Sequence, residues 1–340
     1  MSDIFEKLLI LRTPGIGPVR YAKLLSQFGS LGAVIDVLQP TTEFKDSVLR
    51  EMELAQSLHI YYIDDLDVRY PQNLRGIKNH PPVISVRGNL DVLNKSMVAM
   101  VGTRHATAAG MEFMSDIAMR FAENNYAVVS GMAIGTDTAV HRGALRVGGD
   151  LQTVAVLAGG VDYIWPAENE SLYWEIVERG AVISEMPVGF VPVATNFVQR
   201  NRWVAGMAER LVLGEADMKS GSMTTARFAI DYGREIWAIP SHPLDLRSVG
   251  PNSLIRSGDA KLCMGPDDFF KKEKNSSEMK KNRIKNESEF NLIDRIGNIP
   301  VSESVLAELV KKQVSEIKAM LVVLELQGFV RKVDGGYVRV

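Results

Sequence analysis

Between Met97 and Ile239 one pattern recurs: a short apolar run, a turn rich in small residues, then a longer segment with apolar positions three and four apart. The runs predict strands at Met97–Val101, Ala127–Val129, Thr153–Leu157, Ala181–Ile183, Arg210–Leu213 and Glu235–Ile239. The intervening segments predict helices at Thr107–Glu123, Thr136–Arg146, Ser171–Glu178, Arg202–Ala208 and Thr224–Tyr232. Short buried strands alternating with helices imply an α/β, doubly wound, mostly parallel sheet. Apolar runs near Ile60–Ile63 and Val83–Val86 extend it.

The pattern changes at both ends. Residues 1–58 read as a small helical domain centred on Thr13-Pro14-Gly15-Ile16-Gly17-Pro18. No strand precedes these glycines, so a helix–hairpin–helix suits them better than a dinucleotide loop. The turn could contact a phosphate through exposed amides or serve only for packing. Residues 59–270 hold the sheet, and residues 271–287 read as a linker. Residues 288–340 predict a winged helix, with helices at Leu292–Ile296, Ser302–Val310 and Ser315–Gln327. Strands at Phe329–Val333 and Tyr337–Val340 then pair across Asp334-Gly335-Gly336. The third helix stands in the recognition position but sets Glu316 and Glu325 against Lys318 alone, so protein contact or capping competes with DNA contact.

Composition narrows the class. The 340 residues carry 39 Lys+Arg and 41 Asp+Glu, a formal charge of −2, which excludes a bulk electrostatic coat for nucleic acid. The charge is uneven, however. Lys271 to Asn286 holds seven basic residues and two acids, +5, leaving −7 for the rest. That stretch is a solvated linker or a nonspecific phosphate tether. Cys263 is the single cysteine, so no intramolecular disulfide or cysteine-rich zinc site is expected. An N-terminus without a signal pattern, and no apolar stretch long enough to span a bilayer, give a cytoplasmic expectation with no membrane partner.

Ligands of open parallel sheets bind beyond the carboxyl ends of the strands. Gly102-Thr103-Arg104, Ser130-Gly131 and Ser220-Gly221-Ser222 all fall there, as do Gly159-Gly160 with Trp165-Pro166 and Glu215-Ala216. Small residues admit a ligand to the backbone, helix N-termini favour anions, and Arg104 adds a forked donor for phosphate oxygens. Arg200-Asn201-Arg202 adds charge, and Lys219 flanks the serine–glycine loop. Asp137 and His141, four apart on one helix face, are a metal or acid–base pair or, more blandly, a structural hydrogen-bonding pair. No Walker loop, nucleophile elbow or metalloprotease helix is present.

Val101-Gly102-Thr103-Arg104, Ser130-Gly131-Met132-Ala133 with Asp137 and His141, Ile183-Ser184-Glu185, Arg200-Asn201-Arg202 and Ser220-Gly221-Ser222 with Thr225-Ala226 come in one order over Tyr70 to Leu262. In these motifs the chain resembles the DNA-processing protein A (DprA/Smf) family. The resemblance implies an extended Rossmann-like domain that binds single-stranded DNA without catalytic turnover or cofactor. It implies a homodimer that protects incoming DNA and loads the RecA recombinase during natural transformation. On it, DNA contacts fall to Gly102, Thr103, Arg104, Ser130, Gly131, Arg200, Asn201, Arg202, Lys219, Ser220, Gly221 and Ser222. The chain departs from many relatives at Ala167, Gln199 and Ser241.

Two other classes are weighed against this one. A nucleotide phosphoribohydrolase of the lysine-decarboxylase-like kind shares the layout but needs a catalytic glutamate after its glycine loop, and none follows Ser220 at that place. A winged-helix regulator would put the function in the last fifty or so residues.

Overall fold

The computed structural model describes residues 3–270, 292–293, 295–297, 300–326 and 328–339. The linker expected over 271–287 lies outside them. Met1–Phe269 and Phe270–Val340 are two compact units, each described by itself.

The first unit opens with four helices, α1 (Asp3–Arg12), α2 (Pro18–Phe28), α3 (Leu31–Leu38) and α4 (Thr42–Ser57). Gly15, at φ +79°, makes the turn between α1 and α2, and Pro18 starts α2 where its missing N–H costs nothing. The hydroxyls of Ser30 and Thr41 accept amides of the helices they precede. These helices do not stand free of the sheet. Phe5, Leu8, Leu9 and Val48 share a core with Val83. Buried Lys7 bridges Asp64 and Asp65 at 3.1 and 2.7 Å, and Glu51 takes both Arg12 and the Tyr62 hydroxyl at 2.7 Å.

There follow β1 (Ile60–Asp64), α5 (Gln72–Arg75), β2 (Val83–Gly88), β3 (Met97–Val101), α6 (Ala108–Glu123), β4 (Ala127–Ser130), α7 (Thr136–Leu145), β5 (Thr153–Val156), α8 (Glu170–Arg179) and β6 (Ala181–Ser184). The unit continues with α9 (Ala194–Met207), β7 (Arg210–Leu213), α10 (Gly221–Asp231), β8 (Glu235–Ala238), α11 (Val249–Ser257) and β9 (Lys261–Leu262). Among the described residues they form one nine-stranded sheet, β1-β2-β6-β5-β4-β3-β7-β8-β9. It is parallel from β6 to β9, with β2 antiparallel to β6 and β1 antiparallel to β2. Every residue of β3, β4, β5 and β6 is buried, because helices cover both faces of a parallel sheet. The strand order reverses at β3, which has β4 on one side and β7 on the other. This is the switch point where such sheets open a crevice.

The elements match the doubly wound expectation, with one large difference: α9 begins at Ala194, not Arg202. Its first two turns are mostly solvent-facing, so no apolar stripe announces them.

In the second unit, α12 (Glu303–Val310), α13 (Val314–Leu326), β10 (Val330–Val333) and β11 (Gly336–Arg339) form the helix pair and hairpin of a winged helix. Gly335, at φ +92°, turns the hairpin, and Val301 bridges Tyr337 as a third short strand. The first predicted helix, Leu292–Ile296, lies partly outside the described residues; Leu292, Ile293 and Ile296 are buried in the core.

Gly143 of α7 sits against the backbone of Ser115 in α6, where a Cβ would collide with a carbonyl that cannot move aside. Gly143→Ala should therefore destabilise the first unit by about 1–3 kcal/mol, the scale of overpacking. Urea denaturation reads this as a lower midpoint; an unchanged midpoint would contradict so close a crossing.

Candidate nucleic-acid site

At the switch point lies a cavity of about 310 Å³, lined by Gly102–His105 after β3, Ala133 and Asp137 after β4, Phe197–Asn201 of α9 (Gln199 excepted), and Ser220–Ser222 with Thr225 at the start of α10. Four chain segments that are distant in sequence meet there.

Its floor is organised by Arg200. Although charged, this side chain is buried, and its guanidinium donates through Nη1 to the carbonyls of Gly131 and Val156, at the ends of β4 and β5. A Cβ at residue 131 would meet the Arg200 guanidinium, which would have to shift from its place. Asp137 supplies the opposing charge, fixed by the amides of Gly131 and Ala133 at 3.1 and 3.3 Å. Burial opposes both charges. It raises the Asp137 carboxyl, against the pull of Arg200, and it lowers Arg200 to about 10.

His141 belongs beneath this pair. Thr153 Oγ1 donates to Val128 O at 2.7 Å, so it must accept from His141 Nδ1, also at 2.7 Å. That leaves Nε2 bare, buried and without a partner among the described residues. Burial first, then the Arg200 charge, drops the imidazole pKa to about 3. Asp137 and His141 therefore have structural hydrogen bonds, and no group of three or more His, Cys, Asp or Glu side chains suited to a metal occurs among the described residues.

The helix that follows β3 is already capped. Glu215 accepts Thr107 N at 2.7 Å and Thr107 Oγ1 at 2.6 Å, and Thr107 Oγ1 accepts Gly110 N at 2.9 Å. A carboxylate thus occupies the N-terminus of α6, where a mononucleotide fold would seat a phosphate. The opening is instead at α10. Ser220 caps that helix, accepting Met223 N at 3.3 Å, and Ser222 Oγ donates to Gly102 O at 2.6 Å. Asn201 Nδ2 reaches Gly221 O at 3.2 Å, tying α9 to the same helix start. The Gly221 amide, at the first position of the helix, has no intrahelical acceptor.

On the rim, Arg104 is exposed, with its guanidinium 5.3 Å from the Trp165 ring and 6.0 Å from Phe197. The two rings meet edge to face at 4.8 Å, and Trp165 is 36% exposed. The result is a rim of two inclined aromatic rings and a guanidinium beside the start of α10.

Not every residue singled out in the sequence reaches this cavity. Gly102, Thr103, Arg104, Arg200, Asn201, Ser220, Gly221 and Ser222 line it. Ser130 is fully buried and gives its hydroxyl proton to Met100 O at 2.7 Å, and Gly131 lies behind Arg200. Arg202 is not among the lining residues: it hydrogen-bonds the Tyr232 hydroxyl at 3.2 Å and lies over Trp203. Two positions along a helix turn a side chain through about 200°, so Arg200 and Arg202 cannot share a face. Lys219 is exposed just outside the cavity. The sequence sets Trp165 at a strand end without marking it as a DNA contact, and it does not mark Phe197 at all. A helix starting at Ala194 would have signalled Phe197, three residues before Arg200 and on its face.

Comparison with known proteins identifies the family. A family model described as DNA recombination-mediator protein A matches residues 61–274; models of a DprA-like N-terminal HHH domain and a DprA winged helix domain match residues 2–56 and 282–336. The chain belongs to the DprA/Smf family. It is 31% identical over 282 residues to Protein Smf of Escherichia coli K12, covering 79% of this chain and 75% of that one. Alignments with some other curated members span about half of their length. The X-ray structure of DNA processing protein A from Streptococcus pneumoniae superimposes with a TM-score of 0.68 at 31% identity, over 79% of this chain and 97% of that one. DprA of Helicobacter pylori, whose structure is described as showing a single-stranded DNA binding mode, gives 0.57 at 26% identity, over 66% and 97%. No helix among the described residues is long and apolar enough to cross a membrane.

Two predictions follow from the buried charges. Arg200→Met leaves Asp137 buried without its counter-charge and should destabilise by about 3–5 kcal/mol; adding Asp137→Asn should restore a good part of it. Strictly additive losses in urea titrations would show that the two do not interact. The neutral His141 has a pKa below that of the unfolded chain, near 6.5. Stability is therefore fully present above about pH 6.5 and falls as pH drops toward 3, because only the unfolded chain takes up the proton. Between pH 7 and 5 the decline should be shallower for His141→Gln, and equal slopes would reject this role.

Proposed function

We propose that this cavity binds single-stranded DNA, with phosphates at the start of α10 and beside Arg104, and bases against Trp165 and Phe197. The observation that carries this reading is the exposed Arg104 guanidinium, set against the exposed Trp165 ring and the half-buried Phe197 ring at the mouth of the cavity. Aromatic faces stack on bases of any identity, but only when the bases are not already paired and stacked in a duplex. Thr103, Gly221, Ser222 and Asn201 provide the neutral walls, and Arg200 holds the floor that sets their spacing. Arg202 and Lys219 contribute at most a surrounding positive field.

The protein works as a binder without turnover. The acids near the cavity are committed, Asp137 to the floor and Glu215 to α6, and no glutamate stands at the start of α10 to serve a phosphoribohydrolase. Purified protein should accordingly release no base from nucleoside monophosphates. Family membership supports the wider role: a cytoplasmic homodimer that protects incoming single strands and hands them to the RecA recombinase in natural transformation and recombination.

Fluorescence anisotropy with a labelled oligothymidylate across a salt series separates the two kinds of contact. Arg104→Ala should weaken binding about tenfold and flatten the log–log salt slope by roughly 0.7–1, one phosphate's worth. Trp165→Ala should lose about 1–3 kcal/mol of stacking with the slope unchanged. Wild-type affinity and slope in both variants would place the strand elsewhere.

A further inference from the structure

The third helix of the winged helix carries two apolar faces. Ile317, Leu321 and Leu324 of α13 are buried in their own core. On the opposite side, Ala319, Val322, Val323 and Leu326 are exposed, Val322 at 52%, Val323 at 40% and Leu326 at 84%. Their spacing, i, i+3, i+4, i+7, is that of one continuous helical stripe. A stripe of this kind on the outer face of α13 replaces the basic side chains that a groove-reading helix presents to phosphates. The helix has one lysine, Lys318, and it pairs with Glu303 at 3.3 Å. A helix apolar all round belongs in an interior, so this outer face calls for a cover.

We infer that the cover is a second copy of the same helix, packed antiparallel. The flanking charges argue for it. Lys318 and Glu325 are seven residues apart, hence on one flank of the stripe. A two-fold axis between Val322 and Val323 sets Ala319 opposite Leu326 of the second copy. It keeps like flanks together, which brings Lys318, already beside Glu303, alongside the second copy's Glu325, whose Oε1 also accepts Lys332 N at 3.0 Å, and Glu325 alongside its Lys318. One face is thus self-complementary in its apolar spacing and its charge, as an isologous contact must be. The contact involves only the winged-helix unit and is independent of the DNA cavity.

Sedimentation velocity of the full chain over a concentration series tests it. Leu326→Glu, at a side chain too exposed to hold the fold, should remove one association step that wild type shows. Lys318→Glu and Glu325→Lys should each weaken that step several-fold, and the double exchange should restore it, which a contact with any other surface would not do. Because Cys263 is buried, Val322→Cys should give a covalent dimer on mild oxidation, whereas Arg331→Cys, on the hairpin of the same unit, should not. Identical sedimentation of wild type and Leu326→Glu, or no cross-link through residue 322, overturns the inference. So does a Leu326→Glu variant whose only loss is DNA affinity, since that would make α13 a nucleic-acid surface after all.

Discussion

The architecture of the site depends on one buried guanidinium. Arg200 comes from a helix, yet it satisfies carbonyls at the ends of two strands and faces an aspartate fixed by the amides of the loop between β4 and α7. A buried cation is tolerable only when its donors and its charge are both answered. Those answers fix the height of α9 over the sheet edge. With α9 placed, Phe197 stands three residues away on the rim and Asn201 one residue away reaches α10. Gly131, His141 and Thr153 follow from the same centre: the first because a Cβ there would displace the Arg200 guanidinium, the other two because the layer beneath must stay neutral.

Around that centre the fold divides its anion-binding capacity. Two helix N-termini open beside β3, and Glu215 closes one of them. The other, at α10, keeps a small-residue turn open to the cavity. An internal carboxylate at the usual phosphate seat works against a mononucleotide held end-on at α6. With a formal charge of −2, the proposed binding would rely on local geometry more than on a field over the whole surface.

The sequence showed the strands and the sheet class clearly, because short apolar runs between small-residue turns have few other uses. Gly102, Arg104 and Ser220–Ser222 were legible for the same reason: they fall at strand ends. What stayed hidden was orientation. Arg200-Asn201-Arg202 reads as one basic patch, but once α9 is seen to begin at Ala194 the three side chains go to the sheet, to α10 and to Tyr232. Ser130 looked like a phosphate ligand and is a strand-to-strand hydrogen bond. Trp165 stands among the strand-end segments of the sequence; its partnership with Phe197 and Arg104 joins segments that only the folded chain brings together.

The central claim is that the cavity at the strand-order reversal takes one strand and not two. Its most direct test is the affinity of the wild-type protein for an oligothymidylate beside that for a duplex of the same length, at one salt concentration, by anisotropy. The account predicts markedly tighter binding to the single strand, since only there are base faces free to meet Trp165 and Phe197. Equal affinity for both would contradict it and return the interaction to backbone charge alone.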